Sequence, residues 1–547
     1  MKNFFSNLKL SNANYTLLLS VFITLIPNIA IYTDIFHILA KLDDFSVGFV
    51  ISIPFFFIFA YNIIFNAITW PFITKPIAVI LILLSCALFF AEYNYGIFFD
   101  RNMIQNIFET DSSEALSYSS WFALLWFAVI GILPSIIFSC IRIKKESVIK
   151  FVLKKVLYIV ASAAGIVLIA SMFYQDYASV VRNNKYLGDR MVPASFIHST
   201  IQYLNRTYFT KPIPYTKLAL DAHQTANALA QAKSKPTLLI MVLGETARAQ
   251  NYQVNGYQRD TTPYTNNLPN MIRFKDAASC GTATAISVPC MFSRMNRKDL
   301  NLAKAPRQDN VLDIFERAGI DVLWKENDGG DKKVAQHIKE ITLDPKQKSP
   351  LCDGSTCYDM ALLNNLDQQI SDMKGNRVIV LHLIGSHGPT YYRRYPADMG
   401  YFKPNCNRAD IENCSVEQIK NTYDNSLRYT DFVVKSLIDK LKGKANQFNT
   451  ALIYMSDHGE SLGEDGIFLH GAPYSFAPIY QRRVPLMVWL SPDIQKEQGI
   501  SLTCMKSYSK KTDHFSQDNL FDSLLGIMDV KTAIYRAQQD IFKPCRN

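Results

Sequence analysis

Apolar residues fall into five long blocks early in the chain and into short runs thereafter. The blocks cover residues 15–32, 45–70, 76–91, 121–141 and 151–173. Each approaches the ~20 residues that a helix needs to cross a bilayer, and the third is the shortest. The first does not read as a cleavable leader: no Ala-x-Ala-like site follows it, and further apolar blocks come after. From Thr237 onward the pattern changes. Strand-like runs at 237–243, 320–324, 377–384, 450–455 and 484–490 alternate with helical patterns such as 311–318, 358–373 and 415–441. Strands alternating with helices predict an α/β domain with a largely parallel sheet. Ligands in such folds gather beyond the carboxyl ends of the strands.

With 547 residues the chain exceeds what one core holds. It divides into a transmembrane domain of five helices at 1–173, a bridging segment at 174–234 and a catalytic α/β domain at 235–547. The bridge carries Arg182, Lys185, Arg190, Arg206 and Lys211 among tyrosines and phenylalanines. That composition fits either a segment lying on an anionic leaflet or a solvated linker.

The net charge of +10 is explained by topology rather than by nucleic acid, since many basic residues flank the apolar blocks and no nucleic-acid motif is present. With a cytoplasmic N-terminus, nine basic residues (Lys2, Lys9, Lys75, Arg142, Lys144, Lys145, Lys150, Lys154 and Lys155) lie inside and two (Lys41, Arg101) outside. Five spans then carry the C-terminal half out of the cytoplasm. Cysteine usage agrees. Cys86 and Cys140 lie in apolar blocks, and the other eight fall in the polar half, an even count that suits an oxidising compartment. Short separations favour Cys280–Cys290, Cys352–Cys357 and Cys406–Cys414, which leaves Cys504–Cys545 by elimination. No CxxC is present to suggest a structural zinc cluster.

Two of the strand-like runs end in chemistry. Glu245 follows one and Asp457-His458 another, while Thr282, Thr284 and Ser287 lie between them on a glycine-containing loop that a Cys280–Cys290 bridge would clamp. A carboxylate, an Asp-His pair and a hydroxyl are what zinc takes as a tetrahedral set, and the metal makes the hydroxyl a nucleophile. The residues alone leave the three hydroxyls open. His387, His458 and His470 are each followed by glycine. His382, inside an apolar run, reads as structural. Lys332 follows Asn-Asp-Gly-Gly-Asp and reads as a solvated lysine or as a phosphate ligand. In the long outer loop, Asn106, Thr110 and Glu114 are spaced four apart and would share one helix face. By spacing they make a polar interfacial helix before they make a substrate-contacting one.

Longer strings carry a family resemblance: Gly244-Glu245-Thr246-Ala247-Arg248, Ser279-Cys280-Gly281-Thr282-Ala283-Thr284-Ala285, Ser287-Val288-Pro289-Cys290-Met291-Phe292-Ser293, Gly385-Ser386-His387-Gly388-Pro389 and Ser456-Asp457-His458-Gly459-Glu460-Ser461-Leu462-Gly463. Together they resemble the lipid A phosphoethanolamine transferases, chromosomal and mobile colistin-resistance enzymes alike, over essentially the whole chain. The resemblance implies an alkaline-phosphatase/sulfatase-like fold facing the periplasm, in a monomer of the bacterial inner membrane. It makes Thr284 the nucleophile and Glu245, Asp457, His458 and Thr284 ligands of one zinc. His387, His470 and Lys332 would contact the phosphoryl group or a second zinc, and Asn106, Thr110 and Glu114 the ethanolamine end of the donor. Phosphatidylethanolamine is the implied donor and lipid A the acceptor, with polymyxin resistance as the consequence. The rival readings are transfer to another envelope glycan, a sulfatase or phosphodiesterase, and an inactive lipid A sensor.

Overall fold

The computed structural model describes residues 9–40, 46–110, 120–211, 213–275 and 277–546. The chain divides into two compact units, residues 1–104 with 119–202 and residues 105–118 with 203–547. The boundary at 202/203 falls inside the expected bridging segment.

The first unit is helical. Its helices are α1 (Asn12–Leu25), α2 (Ile29–Leu39), α3 (Val47–Ile68) and α4 (Thr74–Tyr95), followed by α5 (Arg101–Glu109), which straddles the unit boundary, α6 (Trp121–Cys140) and α7 (Val148–Asn183). Among the described residues, four stretches are long and apolar enough to span a membrane: α3, α4, α6 and Val148–Ala178 of α7. α1 and α2 pass the same test together, bent by 52°, and counted as one broken span they make five. The bend has a local cause. Pro27 has no N–H to offer the carbonyl of Ile23, and the Asn28 side-chain amide donates to that carbonyl instead, at 2.9 Å. Asn28 also donates to the Val192 carbonyl and accepts from the Val192 N–H. The third apolar block, expected to be short, is a 22-residue helix that continues through Glu92 and Asn94 to Tyr95. α7 runs past Phe173, where the backbone kinks, to Asn183, so the start of the bridge is helix.

The second unit is built on a seven-stranded sheet. Its strands are β1 (Thr237–Gly244), β2 (Met271–Phe274), β3 (Asp321–Glu326), β4 (Lys339–Thr342), β5 (Arg377–His382), β6 (Asn449–Ser456) and β7 (Leu486–Leu490). Their order is β2-β7-β6-β1-β5-β3-β4. Only β7 runs against its neighbours, β6 and β2. β1, β5, β6 and β7 are buried along their whole length. That is why they read as unbroken apolar runs rather than alternating ones: helices cover both faces of such a sheet. One face packs on α8 (Thr284–Phe292) and α9 (Val311–Arg317) through Val288, Met291, Phe292, Leu312 and Phe315. α10 (Val416–Gly443) opens on a capping box between Ser415 and Gln418. The pattern at 358–373 predicts one helix. The chain instead forms a 3-10 turn at Asp359–Leu363 and a separate helix at Leu366–Asp372, with Asn365 at φ +58° between them.

Candidate active site

Strand register assembles the site. β1 and β6 are parallel and pair Gly244 with Ser456, so the next residues, Glu245 and Asp457, leave the sheet side by side. β5 pairs with β1 at His382–Leu243 and with β3 at His382–Glu326. The loop after β5 then folds over Glu245: Ser386 N–H donates to the Glu245 carbonyl at 3.0 Å. Gly385 makes this approach possible. It sits at φ +50°, and a Cβ there would come within 2.5 Å of the same carbonyl.

The turn carrying Glu245 is strained and over-determined. Thr246 has φ +60°, a conformation costly for a β-branched residue. Its N–H donates to Asp457 Oδ1 at 3.1 Å, its carbonyl accepts from the Tyr423 hydroxyl at 2.8 Å, and its hydroxyl bonds Glu245 Oε1. Gln517 ties the second strand end to the hydroxyl loop. Its side-chain nitrogen donates to the carbonyls of Ser456 and Asp457, and its oxygen accepts from the Cys280 N–H at 2.6 Å.

Four donors converge. Thr284 Oγ1 lies 3.3 Å from Glu245 Oε2 and 3.4 Å from His458 Nε2. His458 Nε2 lies 3.4 Å from Glu245 Oε1 and 3.2 Å from Asp457 Oδ2. Glu245, Asp457 and His458 are fully buried. Asp457 Oδ2 has no hydrogen-bond partner among the described residues, an expensive state for a buried carboxylate unless a cation meets it. His458 donates from Nδ1 to the Gly459 carbonyl at 2.9 Å, which leaves the Nε2 lone pair facing the carboxylates. Ligands about 2.0–2.2 Å from a tetrahedral zinc stand roughly 3.4 Å apart, close to the spacings here. Donor types, spacings and the orphaned oxygen all fit a zinc ion.

Electrostatics point the same way. Burial, and then the neighbouring Asp457 charge, push the Glu245 carboxyl well above its ordinary range, and burial raises Asp457. Burial, with His470 close by, holds His458 down at about 4. The imidazole is therefore neutral at pH 7 and free to coordinate.

The two rival hydroxyls are engaged elsewhere. Thr282 donates to the Ala472 carbonyl at 2.6 Å, and Ser287 accepts from the Gly281 N–H at 3.1 Å. Thr284 opens α8, whose flanking residue Ala283 is extended, so its hydroxyl stands at a helix N-terminus, where N–H groups favour an anion. The loop is clamped by Cys280–Cys290, and the bridges Cys352–Cys357, Cys406–Cys414 and Cys504–Cys545 are also present.

The His470 ring lies 4.3 Å from the His458 ring and 5.4 Å from that of His387. Burial holds His470 at about 4. Lys332, at φ +49°, lies near enough to Asp328 and His387 to act on both electrostatically. Asn106 is on α5, and the Thr110 hydroxyl just after it donates back to the Asn106 carbonyl at 2.8 Å. Glu114 lies outside the described residues.

Some supporting residues carry little or no signal of their role in the sequence. Glu460 accepts from Tyr391 and bonds His470 Nδ1 at 2.9 Å. Its place two residues after His458 was the one available hint. Gln517 and Tyr423 act across long sequence separations, which a motif does not reveal.

Residues 237–530 match the sulfatase family model, and residues 57–208 match the model described as phosphoethanolamine transferase EptA/EptB. The chain is 39% identical to "Phosphoethanolamine transferase EptA" of Escherichia coli (strain K12), over 97% of this chain and 96% of that one. It is 31% identical to "Phosphatidylethanolamine transferase Mcr-1" of Escherichia coli, over 88% and 89%. Among solved structures it is similar to the "integral membrane protein lipooligosaccharide phosphoethanolamine transferase A (EptA)" from Neisseria meningitidis. That match has a TM-score of 0.94 and 33% identity, covering 99% of this chain and 100% of that chain.

Proposed function

The chain belongs to the phosphoethanolamine transferase family, and from that premise we propose that it moves phosphoethanolamine from phosphatidylethanolamine to a phosphate of lipid A through a covalent adduct on Thr284. The observation that carries this reading is the disposition of the three hydroxyls. Thr282 and Ser287 are bound to backbone, whereas Thr284 Oγ1 faces Glu245 and His458 at a helix start. The Mcr-1 and Neisseria relatives, a phosphatidylethanolamine transferase and a lipooligosaccharide phosphoethanolamine transferase, support the donor and the class of acceptor.

Glu245, Asp457, His458 and Thr284 would hold zinc. When bound, it supplies positive charge that acidifies the threonine hydroxyl and offsets phosphoryl charge. The Thr284 oxygen forms a bond to the donor phosphorus, and the bond to the diacylglycerol oxygen breaks, that oxygen leaving with a proton. A phosphate oxygen of lipid A then forms a bond to the phosphorus, the bond from Thr284 Oγ1 to phosphorus breaks, and that oxygen takes up a proton to restore the hydroxyl. His387, His470 and Lys332 would contact the phosphoryl oxygens, with Glu460 holding His470 in orientation. Asn106, Thr110 and Glu114 would contact the ethanolamine end.

In this reading the second unit is periplasmic and the N-terminus cytoplasmic, in keeping with the nine-to-two bias of basic residues and the four disulfides. The protein works as a monomer in the inner membrane. Each transfer places an ethanolammonium beside a lipid A phosphate and weakens the attraction of cationic polymyxins.

The test is direct. Wild-type protein incubated with phosphatidylethanolamine and digested should yield a peptide carrying phosphoethanolamine on Thr284. Thr284→Ala should give no adduct and leave lipid A unmodified by mass spectrometry, while Thr284→Ser keeps partial activity. An adduct on Thr282 or Ser287, or modified lipid A with Thr284→Ala, refutes the assignment.

A further inference from the structure

A second cluster lies beside Glu245. β3 ends at Glu326 and β5 at His382, paired by register. Glu326 Oε2 bonds His382 Nδ1 at 2.8 Å and accepts from Trp324 Nε1 at 2.9 Å. Glu326 Oε1 accepts the Asp328 N–H at 2.5 Å. Glu326 and His382 are fully buried, and the Asp328 side chain is 5% exposed.

The other ring nitrogen, His382 Nε2, has no hydrogen-bond partner among the described residues. It points toward Asp328 Oδ2, 3.6 Å away. One oxygen each from Glu245 and Asp328 and one nitrogen of His382 lie within 4.8 Å of one another. Were His382 simply a cation held between two carboxylates, Nε2 would close on Asp328 as Nδ1 closes on Glu326. It stops short, at a spacing near that of two ligands around one tetrahedral ion. The Glu326 carboxylate on Nδ1 fixes the tautomer and aims the Nε2 lone pair, the usual support for a metal-binding histidine. Two carboxylates and one imidazole make a three-ligand set with an open fourth position, a combination that zinc takes.

We propose that Glu245, Asp328 and His382 form a second zinc site, adjoining the Asp457–His458 site and sharing Glu245 with it. His382, which reads as structural in the sequence, is then a ligand. The ion anchors the loop after β3 that carries Lys332. The inference rests on the zinc reading of the proposed function only through the shared Glu245.

The test uses full-length protein in detergent, stripped of metal and equilibrated with buffered zinc, with bound zinc per chain measured by elemental mass spectrometry. Asp457→Ala and Asp328→Ala should each lose one equivalent, and the double variant should lose two. Asp328→Asn, which keeps the side-chain shape, should lose the same equivalent as Asp328→Ala and serves if the alanine variant does not fold. Unchanged zinc in both Asp328 variants overturns the proposal. So does a double variant that holds as much zinc as Asp457→Ala alone, because Asp328 would then act only through the ion at Asp457. If Asp457→Ala loses no zinc while Asp328→Ala does, the second site stands and the metal assignment of the proposed function falls.

Discussion

Gln517→Ala probes how the site is held. The side chain is 1% exposed and joins two segments that the sequence keeps far apart, Cys280 and Ser456-Asp457. Truncation orphans the Cys280 N–H, which costs about 1–3 kcal/mol, and takes one bond from each of two buried carbonyls at about 0.5–1.5 kcal/mol apiece. The total is about 2–6 kcal/mol of stability, which lowers the midpoint of thermal unfolding by several degrees. Function suffers separately. Cys280 is four residues before Thr284, so the loop loses its tie to the strand end that carries Asp457 and His458. A 1 Å misplacement of the hydroxyl costs about 100-fold in rate. Transfer from phosphatidylethanolamine, assayed at saturating donor with purified full-length protein, should therefore fall in kcat with little change in KM. Gln517→Glu keeps the acceptor for Cys280 but loses the two donated bonds, and should fall between the two. A Gln517→Ala protein with unfolding and kcat within twofold of wild type would refute the claim that this side chain sets the loop.

Two further predictions concern stability. Lys325 is buried and donates to the Asn364 carbonyl at 2.9 Å; burial pulls its ammonium down to about 8. An unfolded lysine keeps its proton to about 10.4, so between these values the unfolded chain binds more protons and stability rises with pH. Lys325→Met should stabilise the protein at pH 7 by about 1–3 kcal/mol and abolish that rise, and equal unfolding midpoints for the two proteins at pH 7 and 9.5 would count against it. Cys280→Ser/Cys290→Ser opens a loop with a sequence separation of 10, worth about 2–3 kcal/mol by chain entropy. The double variant should unfold earlier and transfer more slowly, and wild-type kcat would dismiss the clamp.

What the sequence makes legible here follows from how burial is written into it. Strands covered on both faces are continuous apolar runs, so β1, β5, β6 and β7 stand out. β2 and β4 are edge strands of four residues, one holding Arg273 and the other Lys339 and Glu340, and neither carries a signal above that of a loop. The helix expected across 358–373 breaks because Asn365 takes a left-handed conformation, a choice made by packing, since asparagine is also tolerated within helices. The same division runs through the site. Glu245, Thr284, Asp457 and His458 sit in short contiguous strings, whereas Gln517, Tyr423 and the Glu326–His382–Asp328 group depend on contacts that only the folded chain makes.

Register is the step that converts strings into a site. Side chains alternate across a sheet with period two, so a one-residue slip of β6 against β1 would turn its buried residues to the opposite face and carry Asp457 away from Glu245. The pairing is pinned at the strand ends by the Thr246 N–H on Asp457 Oδ1. That last bond exists only because Thr246 accepts φ +60°. A residue free to relax would straighten the turn and swing its N–H off the carboxylate. The strain at Thr246 is thus part of how two carboxylates that repel each other are kept within reach of one histidine. In the proposed reading it also leaves Asp457 Oδ2, which has no hydrogen-bond partner among the described residues, to meet the cation.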